Sequence, residues 1–344
     1  MKRILAVFGT RPESLKLWPI IKLAREEYAD SLDIRTYFTR QSEEKYISDI
    51  EPDYAGKCSA GVRFGQIYMG IESFLDDNTP NAVMVQGDTF SALAGSQAAY
   101  FRDIPVIHVE AGLRTFRKNP WPEEMIRCQV DRMAWVKFSP NVKAEKCLHE
   151  ELGEPKSMSL MTGNTIIDRI GMSWPNYIDM PENMIICQLH RRESWEQFET
   201  MMRYLGQVFL YMADERFSFL SHPNGKVSGY DLPGNVRLIT ALEYPDMMSL
   251  LAHCKAVITD SGGLIEEAAY FKKPCFILRD ETERMESVEI GLAKLIGRGK
   301  DISAIPWLIR NLGAWFNPEA SCPYGDGQAS RRILEFLKDK ANWP

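Results

Sequence analysis

Val85-Gln86-Gly87-Asp88-Thr89, then Pro105-Val106-Ile107-His108-Val109-Glu110-Ala111-Gly112-Leu113-Arg114-Thr115, then Pro120-Trp121-Pro122-Glu123-Glu124, is the stretch from which the rest of the chain can be read. Its apolar runs break off at turns, and the carboxylates Asp88, Glu110 and Glu123 stand at those ends or in a turn. In an α/β fold chemistry gathers at the carboxyl ends of the strands. Working outward, residues 3 to 9, 34 to 39, 82 to 87 and 105 to 110 read as strands, each followed by a helical pattern. A second series of apolar runs covers 184 to 189, 216 to 221, 236 to 240, 255 to 259 and 275 to 279. Alternation of this kind is the signature of an α/β protein with parallel sheets.

A chain of 344 residues is long for one core and comfortable for two. The expected division is a first Rossmann-like domain over residues 1–170 and a second over 183–329. The linker, 171–182, contains Pro175 and Pro181, which bias their neighbours away from helix. Ile333, Leu334, Phe336 and Leu337 recur at helical spacing, so a helix within 330–344 is expected to pack back on the first half.

Hydrophobic residues make up 45% of the chain and charged residues 26%, an ordinary globular composition. A net charge of −6 argues against a nucleic-acid surface while leaving room for a local basic pocket. No run reaches the roughly 18 apolar residues of a membrane span, and the brief apolar start reads as a first strand. A cytoplasmic protein is expected. The seven cysteines are scattered, with no C-x-x-C pair, so neither disulfides nor a zinc site is expected.

Two turns suit an anion. Gly9-Thr10-Arg11-Pro12-Glu13 joins the first strand to a helix bearing Lys16, where backbone N–H groups, the helix dipole and the cations Arg11 and Lys16 would all favour a phosphate. Asp260-Ser261-Gly262-Gly263 does the same for a later strand, and Glu266 or Glu267 could accept from ribose hydroxyls. Neither dinucleotide nor Walker motifs occur, so those cofactor classes are set aside. Of five histidines, His190 stands out because Arg191 and Arg192 follow it, giving a cationic strand end. Glu123-Glu124 after Pro122 also fits an ordinary helix first turn.

Together these motifs resemble the UDP-N-acetylglucosamine 2-epimerases of the non-hydrolysing bacterial type. The matching pieces are Phe8 to Lys16, Gln86 to Ser91, His108 to Thr115, Pro120 to Arg127, Thr162 to Asp168, His190 to Ser194, His222 to Asn224, Asp260 to Ala268, Arg279 to Arg284 and Tyr324 to Gly327. The resemblance implies a GT-B fold, two Rossmann-like doubly wound domains with a central cleft, acting as a homodimer on a UDP-sugar without metal or cofactor. It implies Arg11, Ser261, Gly262, Gly263, Glu267 and Arg284 as UDP contacts, with Lys16, Asp88, Glu110, Glu123 and His190 around the sugar and diphosphate.

The implied chemistry is elimination of UDP to 2-acetamidoglucal and re-addition after protonation on the other face. Asp88, Glu110 and Glu123 are expected to move protons, with Lys16 and His190 nearer the diphosphate; which carboxylate serves which face stays open. A hydrolysing epimerase, a GT-B glycosyltransferase and a non-catalytic nucleotide-sugar binder are the competing readings. The chain departs from the family pattern at Gln41-Ser42-Glu43-Glu44-Lys45, where a Gln-His pair and Met usually contact a regulatory substrate molecule. It departs again at Leu242 and Met247 near the expected uracil site, and at Met285 after Arg284.

Overall fold

The computed structural model describes residues 1–42, 50–56, 63–153, 159–172, 183–189, 197–221, 226–240 and 242–344. The expected linker from 173 onward, together with His190 and His222, lies outside the described residues.

Two compact units divide the chain: Met1–Met172 with Tyr324–Pro344, and Ser173–Pro323. In the first the order is β1 (Lys2–Phe8), α1 (Arg11–Glu27), β2 (Leu32–Phe38), β3 (Tyr54–Ala55), α2 (Phe64–Asp77), β4 (Ala82–Gln86) and α3 (Phe90–Tyr100). It continues through β5 (Val106–Val109), α4 (Glu123–Met133), β6 (Val136–Ser139), α5 (Val142–Leu152), β7 (Ser159–Met161) and α6 (Thr165–Met172). The second unit runs β8 (Ile185–Gln188), α7 (Phe198–Tyr211), β9 (Phe217–Ser221), β10 (Val236–Thr240), α8 (Tyr244–His253), β11 (Ala256–Thr259) and α9 (Gly262–Tyr270). It ends with β12 (Cys275–Ile277), α10 (Met285–Glu289), β13 (Ala293–Leu295) and α11 (Ile305–Arg310), after which α12 (Ala329–Lys338) belongs to the first unit.

The first sheet has the order β3-β2-β1-β4-β5-β6-β7 and the second β10-β9-β8-β11-β12-β13, with parallel pairing between neighbours. Each order reverses once, between β1 and β4 in the first unit and between β8 and β11 in the second. At such a switch point the loops leaving two neighbouring strands diverge and open a crevice. The loops after β1 and β4, and the turn after β11, are therefore set where ligands bind in this fold class.

Burial follows from the pleat. Along β1, Ile4, Ala6 and Phe8 enter one core cluster while Leu5 and Val7 enter another on the opposite face. This two-sided burial made the central strands legible as continuous apolar runs. It also hid β6, whose Lys137 and Ser139 are fully buried; Lys137 stays there because its Nζ donates to the Ala134 carbonyl at 2.8 Å. Strands β3, β7 and β13, of two or three residues, carried no period long enough to read, whereas the equally short β12 sits in the longer apolar run Cys275-Phe276-Ile277-Leu278.

Helix α12 buries Ile333, Leu334 and Leu337 completely in the first unit's core, worth roughly 2 kcal/mol each by area. Asp168 on α6 accepts from the Ala329 and Ser330 N–H groups, 3.2 and 2.6 Å away, and so caps α12 from another element. Asp168→Ala is expected to strand those buried donors and cost about 1–3 kcal/mol. Chemical denaturation gives the loss, and amide exchange locates it at the start of α12.

Candidate active site

Glu110 is the first residue beyond β5, and its backbone sits at φ 68°, a left-handed conformation that non-glycine residues adopt at a cost of about 1 kcal/mol or more. Gln86 lies opposite Val109 in the β4–β5 ladder, so both chains leave the sheet edge side by side. From there the Glu110 carboxylate meets three donors. Lys16 Nζ reaches Oε1 at 2.5 Å, Asn164 Nδ2 donates to the same oxygen at 3.0 Å, and Gln86 Nε2 donates to Oε2. The lysine and glutamate side chains are each only 7% exposed, so the pair is held away from bulk screening.

Asp88 is more open, at 32% exposure, and its Oδ2 accepts from Arg127 Nη2 at 2.6 Å. Arg127 projects from α4 one turn after Glu123, on the same helix face, which links Asp88 and Glu123 to one arginine-bearing surface. Glu123 and Glu124 both lie in the first turn of α4. Their roles separate: Glu124 Oε1 accepts from the Thr115 and Phe116 N–H groups at 2.9 Å each and so closes the preceding loop. His108, inside β5 and fully buried, sets its Nδ1 2.6 Å from Asp131 Oδ1 and its Nε2 2.9 Å from the Gly87 carbonyl. Burial opposes charge on Asp131, but His108 and Arg114 beside it hold its carboxyl below the usual range. His108 is thus a packed, hydrogen-bonded residue beneath the Asp88 turn.

The loop after β1 approaches its neighbours tightly. A Cβ on Gly9 would lie 2.1 Å from Thr39 Oγ1 and 2.2 Å from Ser91 Oγ, so only glycine fits there. Arg11 and Pro12 open α1, and Glu13 follows, fully buried. Glu13 Oε2 accepts from Gly9 N at 3.0 Å and Thr10 Oγ1 at 2.7 Å, and Oε1 accepts from Thr89 Oγ1 at 2.7 Å. Burial pushes the Glu13 carboxyl up to about 7, against the pull of these hydrogen bonds. Glu13 was not among the residues singled out from sequence, although Thr10-Arg11-Pro12-Glu13 has the Thr-x-x-Glu spacing of a helix start.

In the second unit, Ser261 caps α9, its hydroxyl 3.5 Å from Leu264 N. The two glycines behind it differ. A Cβ on Gly262 would lie 2.6 Å from Arg284 Nη1, whereas the same position on Gly263 faces open space. The Gly262 requirement therefore comes from arginine packing, and Gly263 is the glycine beside which the backbone is accessible. Arg284 Nε donates to Glu266 Oε1 at 2.7 Å and Nη1 donates to Glu283 Oε1, while Arg279 Nη2 reaches Glu283 Oε2 at 2.9 Å. Glu266 thus belongs to a buried ion cluster. Glu267, next along α9, is 8% exposed. Among the described residues no group of three His, Cys, Asp or Glu side chains is arranged to hold a metal, and no helix is long and apolar enough to cross a membrane.

The sequence model of the UDP-N-acetylglucosamine 2-epimerase family matches residues 39–338. The Escherichia coli K12 UDP-N-acetylglucosamine 2-epimerase is 33% identical, covering 98% of either chain, and the Yersinia pestis enzyme is 32% identical over the same shares. Among solved structures, S. aureus MnaA in complex with UDP superposes with a TM-score of 0.91 at 31% identity, covering 100% of this chain and 98% of its own. The Neisseria meningitidis UDP-GlcNAc 2-epimerase bound to UDP-GlcNAc gives 0.87 at 30% identity, with 97% and 99% covered. The architecture is the GT-B-like α/β arrangement of two Rossmann-like units that these proteins share. The chain belongs to the UDP-N-acetylglucosamine 2-epimerase family and is an isomerase.

Proposed function

We propose that this protein interconverts UDP-GlcNAc and UDP-ManNAc without releasing free sugar. The observation that carries the reading is Glu110, a carboxylate on strained backbone, ion-paired to Lys16 and set at the strand edge with Asp88 and Arg127 on the adjoining turn and helix.

The reaction type follows from the substrate. The C2 hydrogen of the sugar is not next to a carbonyl, so a carboxylate alone removes it too slowly. Departure of UDP makes C1 electron-poor and C2–H acidic. The C2 proton passes to a carboxylate, its electron pair forms the C1–C2 double bond, and the C1–O bond breaks with its pair going to the β-phosphate oxygen. Re-addition reverses each of these movements after a second acid delivers a proton to the opposite face. Asp88, Glu110 and Glu123 supply the proton-transferring groups. Lys16, Arg11 and His190 offset the negative charge that grows on the departing diphosphate. Ser261, Gly262, Gly263, Glu267 and Arg284 hold the nucleotide, with Glu267 on the ribose because Glu266 is committed to Arg284. The family resemblance extends the proposal to a homodimer in the cytoplasm, and sedimentation of the purified chain measures the first.

In deuterated water, UDP-GlcNAc is expected to yield UDP-ManNAc with deuterium at C2, followed by NMR. Oxygen-18 placed in the C1–O bridge should scramble into the non-bridging β-phosphate positions, since UDP leaves and returns. Free ManNAc would instead identify a hydrolase, and an inert sugar would end the epimerase reading. Glu110→Gln is expected to cut C2 exchange at least about a hundredfold while calorimetry still detects UDP binding. Exchange at the original rate would remove Glu110 from the proton path.

A further inference from the structure

Glu13 touches two segments, and both carry the proposed chemistry. Its Oε2 takes Gly9 N and Thr10 Oγ1 from the loop after β1; its Oε1 takes Thr89 Oγ1 from the turn after β4. The first segment bears Arg11 and leads into Lys16. The second bears Asp88, flanked on its other side by Gly87, whose N–H donates to Val109 O at 3.0 Å and whose carbonyl lies 2.9 Å from His108 Nε2. Thr89 is tied further, because its Oγ1 accepts from Ala92 N at 3.0 Å and caps α3. The two loops belong to neighbouring strands at the sheet's switch point, where nothing in the ladder sets their spacing beyond the strand ends.

We infer that Glu13 is a positioning residue: its carboxylate braces the loop of Arg11 and Lys16 against the turn of Asp88 and fixes the distance between cation and acid. The inference rests on the assignment of those three residues to the epimerisation.

Among the described residues, the elements around the brace carry few charges. Arg11 and Lys16 lie on α1 itself, with Lys16 turned to Glu110; Asp88 lies in the turn after β4, paired with Arg127; and beyond β2 the uncharged Thr39 and Gln41, which close on Gly9, flank the cation Arg40. Among the described residues, the groups that donate to Glu13 are a backbone N–H and two threonine hydroxyls. Burial has raised its carboxyl to about 7, so between the ordinary glutamate range and pH 7 the folded state holds a proton that the unfolded chain has released. Stability linked to this group is present at low pH and is lost as pH rises through about 7, and an isosteric neutral amide would suit the core better. A core with no need of the carboxylate gains nothing by keeping it. Above pH 7 the ionised group accepts all three donors. Below it, one oxygen carries a proton, a threonine hydroxyl must turn from donor to acceptor, and one arm of the brace slackens.

The test compares C2 deuterium exchange and thermal midpoints for the wild type, Glu13→Gln, Thr10→Val and Asp88→Asn from pH 5.5 to 9. Wild-type kcat is expected to fall on an acid limb near pH 7. Glu13→Gln should lower kcat about tenfold or more, flatten that limb, and leave the midpoint at pH 8 equal or higher, a combination that a purely structural residue would not give. Thr10→Val removes a donor to the ionised form, so its limb should move to higher pH; it carries the test if Glu13→Gln does not fold. Wild-type kcat and an unmoved limb in the variants, with Asp88→Asn inactive, would overturn the brace. Full exchange in Asp88→Asn would instead overturn the assignment on which the brace rests.

Discussion

The Glu110 carboxylate draws Lys16 from α1, Gln86 from the end of β4 and Asn164 from the segment before α6 to a single point, and the strand ends of the first unit are arranged around that convergence. A nearly buried carboxylate is costly without donors, and a lysine beside it is costly without an acceptor. Each condition ties a different strand or helix to the same sheet edge. The left-handed backbone at Glu110 is what aims the side chain there, so the strain and the hydrogen bonds are parts of one arrangement. The register of β4 against β5 completes it, by letting Gln86 and Glu110 leave the sheet together.

The second unit solves a related problem with opposite means. Its helix start at α9 offers backbone N–H groups, and the nearby arginine Arg284 is locked between Glu266 and Glu283. A guanidinium fixed by two carboxylates keeps a defined plane, and Gly262 gives that plane room. Arg279, Arg284, Glu266 and Glu283 balance one another in charge, and their hydrogen bonds take up the freedom of the long side chains.

Most of the central sheet was readable because its strands are buried on both faces and the resulting apolar runs have no competing period. Glu110 and Asp88 were picked out for a related reason, since they stand where those runs stop, and Lys16 because it follows the turn after the first of them. Strand β6 was not, since Lys137 and Ser139 look solvent-facing until the ammonium is seen to donate to the Ala134 carbonyl. Glu123 and Glu124 are indistinguishable as neighbours in a helix first turn, and only the Thr115 and Phe116 contacts give Glu124 its separate structural task. The glycine pair was read as one cradle, yet the geometry assigns one member to an arginine. Glu13 escaped notice because a glutamate three residues into a helix suggests a cap, and nothing local tells that its second oxygen reaches a turn 76 residues away.

The docking of α12 under Asp168 also orders events during synthesis. Ile333, Leu334 and Leu337 complete the core around β1 and α1, and they are translated after every residue of the second unit. Domains normally fold as they emerge, the N-terminal one first. Here the second unit can close its own sheet while the first still shows the ribosome an unfilled hydrophobic face. The part of the protein made earliest is thus finished latest, because its core waits on residues that follow the whole second unit.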